Sequence, residues 1–177
     1  MKFYKYNKII VVGCSGSGKS WFSKKLAEKT GYKLIHLDNE FWKPDWVQTP
    51  RDEWIIRQKE LIEEKQWIID GNYNGTLELR FTASDLIVFL DINRYICILS
   101  ALMRMGKKRS DLPEYLNEPK LFSKGTLDFY KWIWIFPKKG RKTILDLHEK
   151  YPEKEFLHIK SRKEMNKILA EEIKCKQ

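Results

Sequence analysis

Apolar residues fall along this chain in short unbroken runs, separated by longer stretches in which apolar and charged positions interleave. Ile9-Ile10-Val11-Val12, Leu34-Ile35-His36-Leu37, Trp67-Ile68-Ile69, Leu86-Ile87-Val88-Phe89-Leu90 and Glu155-Phe156-Leu157-His158-Ile159 are too short for helices and rich in β-branched and aromatic residues. They predict five strands, and the continuously apolar ones suit parallel strands buried on both faces. The intervening stretches predict helices. Trp21–Thr30 carries Phe22 and Leu26 one turn apart and stops at Gly31, a glycine suited to a helix C-terminus. Thr49 as N-cap and Pro50 in the first turn predict a helix to about Lys65. Thr76–Phe81 reads as a short helical segment, Asn93 caps a helix running to about Met105, and Thr126–Phe136 and Lys138–Lys150 follow. Ser161 caps a last helix from Arg162 to about Lys174. Strands alternating with helices predict a doubly wound α/β fold around a parallel sheet, with right-handed crossovers.

At 177 residues the chain fits a single domain. Gly106-Lys107-Lys108-Arg109-Ser110-Asp111-Leu112-Pro113 breaks the helical pattern, and a lid segment is expected at about 106–125. No apolar run approaches the roughly 20 residues of a membrane span. The N-terminus lacks the pattern of a secretory signal, and the cysteines Cys14, Cys97 and Cys175 are widely spaced, so a reducing, cytoplasmic setting without disulfides or zinc is expected. The net charge of +10 fits either a nucleic-acid partner or an enzyme for polyanionic substrates.

The first apolar run leads directly into the chemistry. Ile9–Val12 is followed by Gly13-Cys14-Ser15-Gly16-Ser17-Gly18-Lys19-Ser20 and then Trp21, the Walker A pattern in its expected strand-to-helix setting. Glycine lets the backbone point successive N–H groups inward as an anion nest, and the following helix adds its positive dipole end. Lys19 is placed for the β- and γ-phosphates and the Ser20 hydroxyl for Mg²⁺. Gly13 through Trp21 are therefore the expected ATP-binding residues. The second strand ends at Asp38, the third at Asp70-Gly71-Asn72-Tyr73, and the fourth at Asp91. Ligands of open α/β sheets bind at that edge. Asp38 is a candidate to hold a Mg²⁺-bound water or activate an acceptor hydroxyl, or else a turn cap. Asp70 and Asp91 compete for the Mg²⁺-side acid. Trp42 and Trp46, in Phe41-Trp42-Lys43-Pro44-Asp45-Trp46, either stack on a ligand or form a small core of their own. Arg104 and Arg109 are candidates to close over the transferring phosphate.

These pieces resemble the small P-loop kinases related to adenylate kinase and shikimate kinase. More closely they are similar to the bacterial DNA topology modulation (FlaR-related) proteins, through the Walker A segment, His36-Leu37-Asp38, Phe41-Trp42-Lys43-Pro44, Trp67–Tyr73, Phe89-Leu90-Asp91 and Trp132-Ile133-Trp134. The resemblance implies a three-layer P-loop NTPase fold with strand order 2-3-1-4-5, a lid, and ATP with Mg²⁺. It implies catalytic roles for Lys19, Asp38, Arg104 and Arg109. Asp38, Trp42, Asp70, Gly71, Tyr73 and Arg80 would line the acceptor site, with Ser20 and Asp70 at the metal. Trp21 stands where those kinases carry a small threonine. Asp70–Asn74 lacks the arginine that adenylate kinases place after Asp-Gly, and Arg80 is the residue expected to replace it. The expected activity is transfer of the ATP γ-phosphate to a small acceptor such as a nucleoside or nucleotide, by a monomer or homodimer with no membrane partner. The alternative is a nucleotide-binding regulatory protein that associates with DNA and affects its topology.

Overall fold

Residues 2–104 and 124–173 are described by a computed structural model, in which the first apolar run, β1 (Lys8–Gly13), lies at the centre of a parallel sheet. Its neighbours are β5 (Trp67–Asp70) and β6 (Leu86–Leu90), with Ile10 level with Ile69 on one side and Ile87 on the other. β2 (Lys33–His36) and β7 (Glu155–Ile159) close the two edges. Every residue of Ile9–Val12 and Leu86–Leu90 is fully buried, as a strand covered on both faces requires. Each large apolar side chain removed from water here contributes about 1.5–3 kcal/mol.

The sheet order is β2-β5-β1-β6-β7. Counted among the five parallel strands alone, this is the expected 2-3-1-4-5. The whole-chain count differs because a two-stranded hairpin, β3 (Trp42–Lys43) and β4 (Val47–Gln48), intervenes where a plain loop was expected. The step from β1 to β2 runs one way along the sheet and the return to β5 the other. Right-handed crossovers therefore put α1 (Lys19–Thr30) and α3 (Arg51–Glu63) on opposite faces. α4 (Leu77–Ala83), between β5 and β6, packs beside α3. The remaining helices are α5 (Arg94–Arg104), α6 (Lys124–Ile135), α7 (Gly140–Lys150) and α8 (Arg162–Ile173), and α8 packs on α1.

Several local expectations are met by visible chemistry. Gly31 takes the left-handed conformation at the end of α1, and its N–H donates to the Ala27 carbonyl at 2.8 Å. Asn93 Oδ1 accepts from the Tyr95 N–H at 2.9 Å at the start of α5. Ser161 Oγ accepts from Glu164 N–H at 3.1 Å at the start of α8. Others are corrected. Leu37 does not extend β2 but opens a short helix, α2 (Leu37–Phe41), on which Asp38 lies. Thr49 does not cap α3. Its hydroxyl donates to the Phe41 carbonyl at 2.6 Å, which ties down the hairpin, and Pro50 takes the N-cap position instead. α6 begins at Lys124, so the expected lid lies outside the described residues apart from its last two positions. Among the described residues no helix is long and apolar enough to cross a membrane.

Candidate functional site

The carboxyl ends of β1, β2 and β5 open onto one cavity of about 1210 Å³. Its floor is the Walker A loop. Ser15, Gly16, Gly18, Lys19, Ser20 and Trp21 face the cavity, while Cys14 and Ser17 are buried beneath it. Gly16 is where the loop most needs glycine. Its φ is +82°, and a Cβ there would meet the Cys97 carbonyl oxygen at 2.2 Å. Gly16→Ala is therefore expected to push the loop off α5 and to weaken ATP binding about tenfold or more, which nucleotide titration of the folded variant checks. Lys19 Nζ donates to its own loop at the Cys14 carbonyl, 3.1 Å away, and so arches over the nest.

The start of the loop is fixed from β5. Asn72 Oδ1 accepts from the Gly13 N–H at 2.9 Å, and Asn72 Nδ2 donates to the Gly13 carbonyl at 2.7 Å. This two-way clamp is buried, which makes it worth more than an exposed pair. The sequence puts Asn72 at the end of the third strand and does not mark it as a site residue, since its partner lies 59 residues away. Arg162, at the start of α8, adds a second brace: Nη2 donates to the Gly16 carbonyl at 3.0 Å and to Ser100 Oγ at 2.5 Å.

Of the two acids competing for the metal side, the structure brings only Asp70 to the cavity. Asp70 Oδ2 is held by His36 Nδ1 at 2.9 Å, while its Oδ1 is buried with no partner among the described residues. An orphaned carboxylate oxygen in the same cavity as Ser20 suits a hard cation that also takes phosphate oxygens. Among the described residues no cluster of three His, Cys, Asp or Glu side chains could hold a metal alone. A cation here would have to arrive with a nucleotide, and Ser20 and Asp70 are the residues that would hold it. Asp91 is engaged elsewhere, by Arg141 Nε at 2.9 Å and His158 Nε2 at 2.8 Å, and does not line the cavity. His36 was also missed as a site residue, because its role depends on β2 lying level with Asp70 of β5.

The β2 side of the cavity is lined by Asp38, Trp42, Trp46, Gln48, Tyr73 and Asn74. The Tyr73 hydroxyl donates to Asp38 Oδ1 at 2.8 Å. Burial, reinforced by the Asp38 carboxylate, pushes the Tyr73 phenol far up, so it stays a donor. Gly71 lines the same wall. Arg80 does not. It is fully buried behind the wall, where Nη1 donates to the Gly71 carbonyl at 2.9 Å and Nη2 to the carbonyls of Asn72 and Tyr73. Burial lowers its guanidinium to about 9. The expected substrate contact is thus a brace for the loop that carries the contacts. Arg104, the last residue of α5, lines the cavity, whereas Arg109 lies outside the described residues.

No family model matches the chain, and no curated protein matches it. Solved structures do. A shikimate kinase from Acinetobacter baumannii in complex with shikimate is 17% identical, with 98% of this chain and 97% of that one covered at a TM-score of 0.59. A shikimate kinase from Bacteroides thetaiotaomicron is 13% identical, with 96% and 98% covered at a TM-score of 0.52. These likenesses define a P-loop kinase fold over nearly the whole chain. The comparisons give no support to the expected kinship with DNA topology modulation proteins.

Proposed function

We propose that this chain is an ATP-dependent phosphotransferase that moves the γ-phosphate to a hydroxyl of a small acceptor. The observation that carries the reading is that one cavity joins a Walker A floor, with Lys19 and Ser20, to a wall bearing the Asp38–Tyr73 pair. The anion nest takes the phosphates, and Lys19 swings from the Cys14 carbonyl onto the β- and γ-phosphate oxygens. Ser20 and Asp70 are the residues that would hold Mg²⁺, which when bound would supply charge neutralisation for the phosphates. Asp38 receives the acceptor proton while the hydroxyl oxygen attacks, and Tyr73 fixes the carboxylate's orientation. Arg104 sits where it can balance charge from the α5 side. The rest is positioning, and holding both reactants in one cavity supplies much of the rate.

Coupled ADP release from MgATP, measured against a panel of nucleosides, nucleoside monophosphates and hydroxylated metabolites, tests the reading. Acceptor-dependent release is expected, and Asp38→Asn is expected to cut it by about 10²–10⁴-fold. No acceptor-dependent release across the panel, with ATP still bound, contradicts the reading. The two competing acids give a separate prediction. Asp70→Asn should raise the Mg²⁺ concentration needed for half-maximal release about tenfold or more. Asp91→Asn should leave the Mg²⁺ requirement unchanged and lower the melting temperature instead, because Arg141 and His158 lose their partner. The opposite assignment of effects would move the metal to β6.

A further inference from the structure

Resting on the phosphotransferase reading, we infer that the acceptor subsite takes an uncharged alcohol that carries a flat ring, of the chemical type of a nucleoside, in preference to a phosphorylated or carboxylated acceptor. The argument begins with Arg80. It is the arginine the sequence offers for an acceptor phosphate on this side, and its guanidinium is buried on the carbonyls of Gly71, Asn72 and Tyr73. Of the described cations that line the cavity, Lys19 and Arg104 are assigned above to the phosphates, Arg162 is held by the Gly16 carbonyl and Ser100 Oγ, and the one left is Lys24, on α1. A bidentate, planar match to phosphate or carboxylate needs an arginine fork, which a lysine does not supply.

What the wall offers instead is neutral and aromatic. Trp42 and Trp46 present indoles with ring centroids 5.4 Å apart and planes at 69°. Indole faces are stacking platforms for flat heterocycles. The Gln48 and Asn74 side-chain amides, each both donor and acceptor, line the same wall and suit the polar edge of a base. Asp38, with one oxygen taken by Tyr73, still has acceptor capacity for the O–H of a sugar, and its charge disfavours an anion beside it.

The wall is also preorganised. Asp45 and Trp46 at φ +58° and Tyr73 at φ +41° are the non-glycine residues in the left-handed region among those described; Trp46 and Tyr73 line this wall, and Asp45 precedes Trp46 in the hairpin. Phe41, Trp54 and Tyr73 pack behind it with centroids 4.7–5.0 Å apart, and Thr49 ties the hairpin to Phe41. A rigid wall spends little ordering free energy on a rigid, flat ligand. In the step itself the acceptor oxygen forms a bond to Pγ, the Pγ–O bond to the β-phosphate breaks, its electron pair leaves on ADP, and the acceptor proton passes to Asp38.

Calorimetric titration of the full chain with adenosine, guanosine, cytidine and thymidine, with their 5′-monophosphates, and with shikimate and gluconate tests the inference. At least one nucleoside is expected to bind at least tenfold tighter than its monophosphate and than either acid. Trp46→Ala and Gln48→Ala should each weaken it about fivefold or more, with ATP affinity held within twofold. Tighter binding of a monophosphate or an acid, or of no nucleoside at millimolar concentration, overturns the inference. Label from [γ-³²P]ATP separates the two readings. Transfer to a phosphorylated or carboxylated acceptor overturns the inference and leaves the phosphotransferase standing. A nucleoside that binds at the wall and receives no label overturns the phosphotransferase reading.

Discussion

Replacing Lys19 by alanine is expected to lower acceptor-dependent ADP release by about 10²–10³-fold or more, with the fold intact. The size of the effect follows from where the ammonium sits. It lies at the edge of the anion nest on the cavity floor, so it reaches developing phosphate charge inside a partly enclosed site. What the fold loses is small. Lys19 Nζ makes a part-buried hydrogen bond to the Cys14 carbonyl, at 3.1 Å. Such a bond is worth about 1 kcal/mol, or roughly 2–4 °C of melting temperature for a chain of this size. Lys19→Arg is expected to recover little, since a planar guanidinium does not replace a compact ammonium in a nest shaped for it. Initial rates of ADP release, paired with thermal melts of both variants, check this. A variant that turns over like the wild type would show that the Walker A lysine is not part of the chemistry.

The second large effect is on stability. Arg80→Ala should destabilise the chain by about 3 kcal/mol or more and lower its melting temperature by roughly 6–12 °C. The guanidinium is fully buried, has no carboxylate partner among the described residues, and directs Nη1 and Nη2 to three successive carbonyls at Gly71, Asn72 and Tyr73. Its removal leaves a void and takes the charged donor from each of those carbonyls. The loop so released carries Asn72, which clamps Gly13, and Tyr73, which orients Asp38. ATP affinity and turnover should therefore fall together with stability. Arg80→Lys restores one donor of the fork and should recover part of the loss. A melting temperature unchanged in Arg80→Ala, with acceptor affinity selectively lost, would return Arg80 to the acceptor site.

These two residues mark what a sequence discloses and what it withholds. Lys19 is legible because its neighbours in the chain are its neighbours in space. The strand before it, the glycines and the helix after it are all local, and so are the apolar runs that specify the sheet. Arg80 reads as one charged position in an amphipathic turn, and nothing within that turn shows the carbonyls it meets. Asp70 and Asp91 differ in their surroundings through His36, Arg141 and His158, which lie 34, 50 and 67 residues from the acids they hold. The β3–β4 hairpin is hidden for a different reason. Its tip takes left-handed conformations at Asp45 and Trp46, where a glycine would have announced a turn and an aromatic run does not. The Trp42 and Trp46 alternatives come together in it, since the indoles pack edge to face on each other and also line the cavity.

The most direct test of the account follows the phosphate itself. Full-length chain, Mg²⁺ and [γ-³²P]ATP are incubated with the acceptor panel, and the products are separated by chromatography. The account predicts label in a phosphorylated small acceptor, dependent on Lys19 and Asp38, with ADP formed in equal amount. Label that stays in ATP, or appears only as inorganic phosphate whatever acceptor is present, would contradict it.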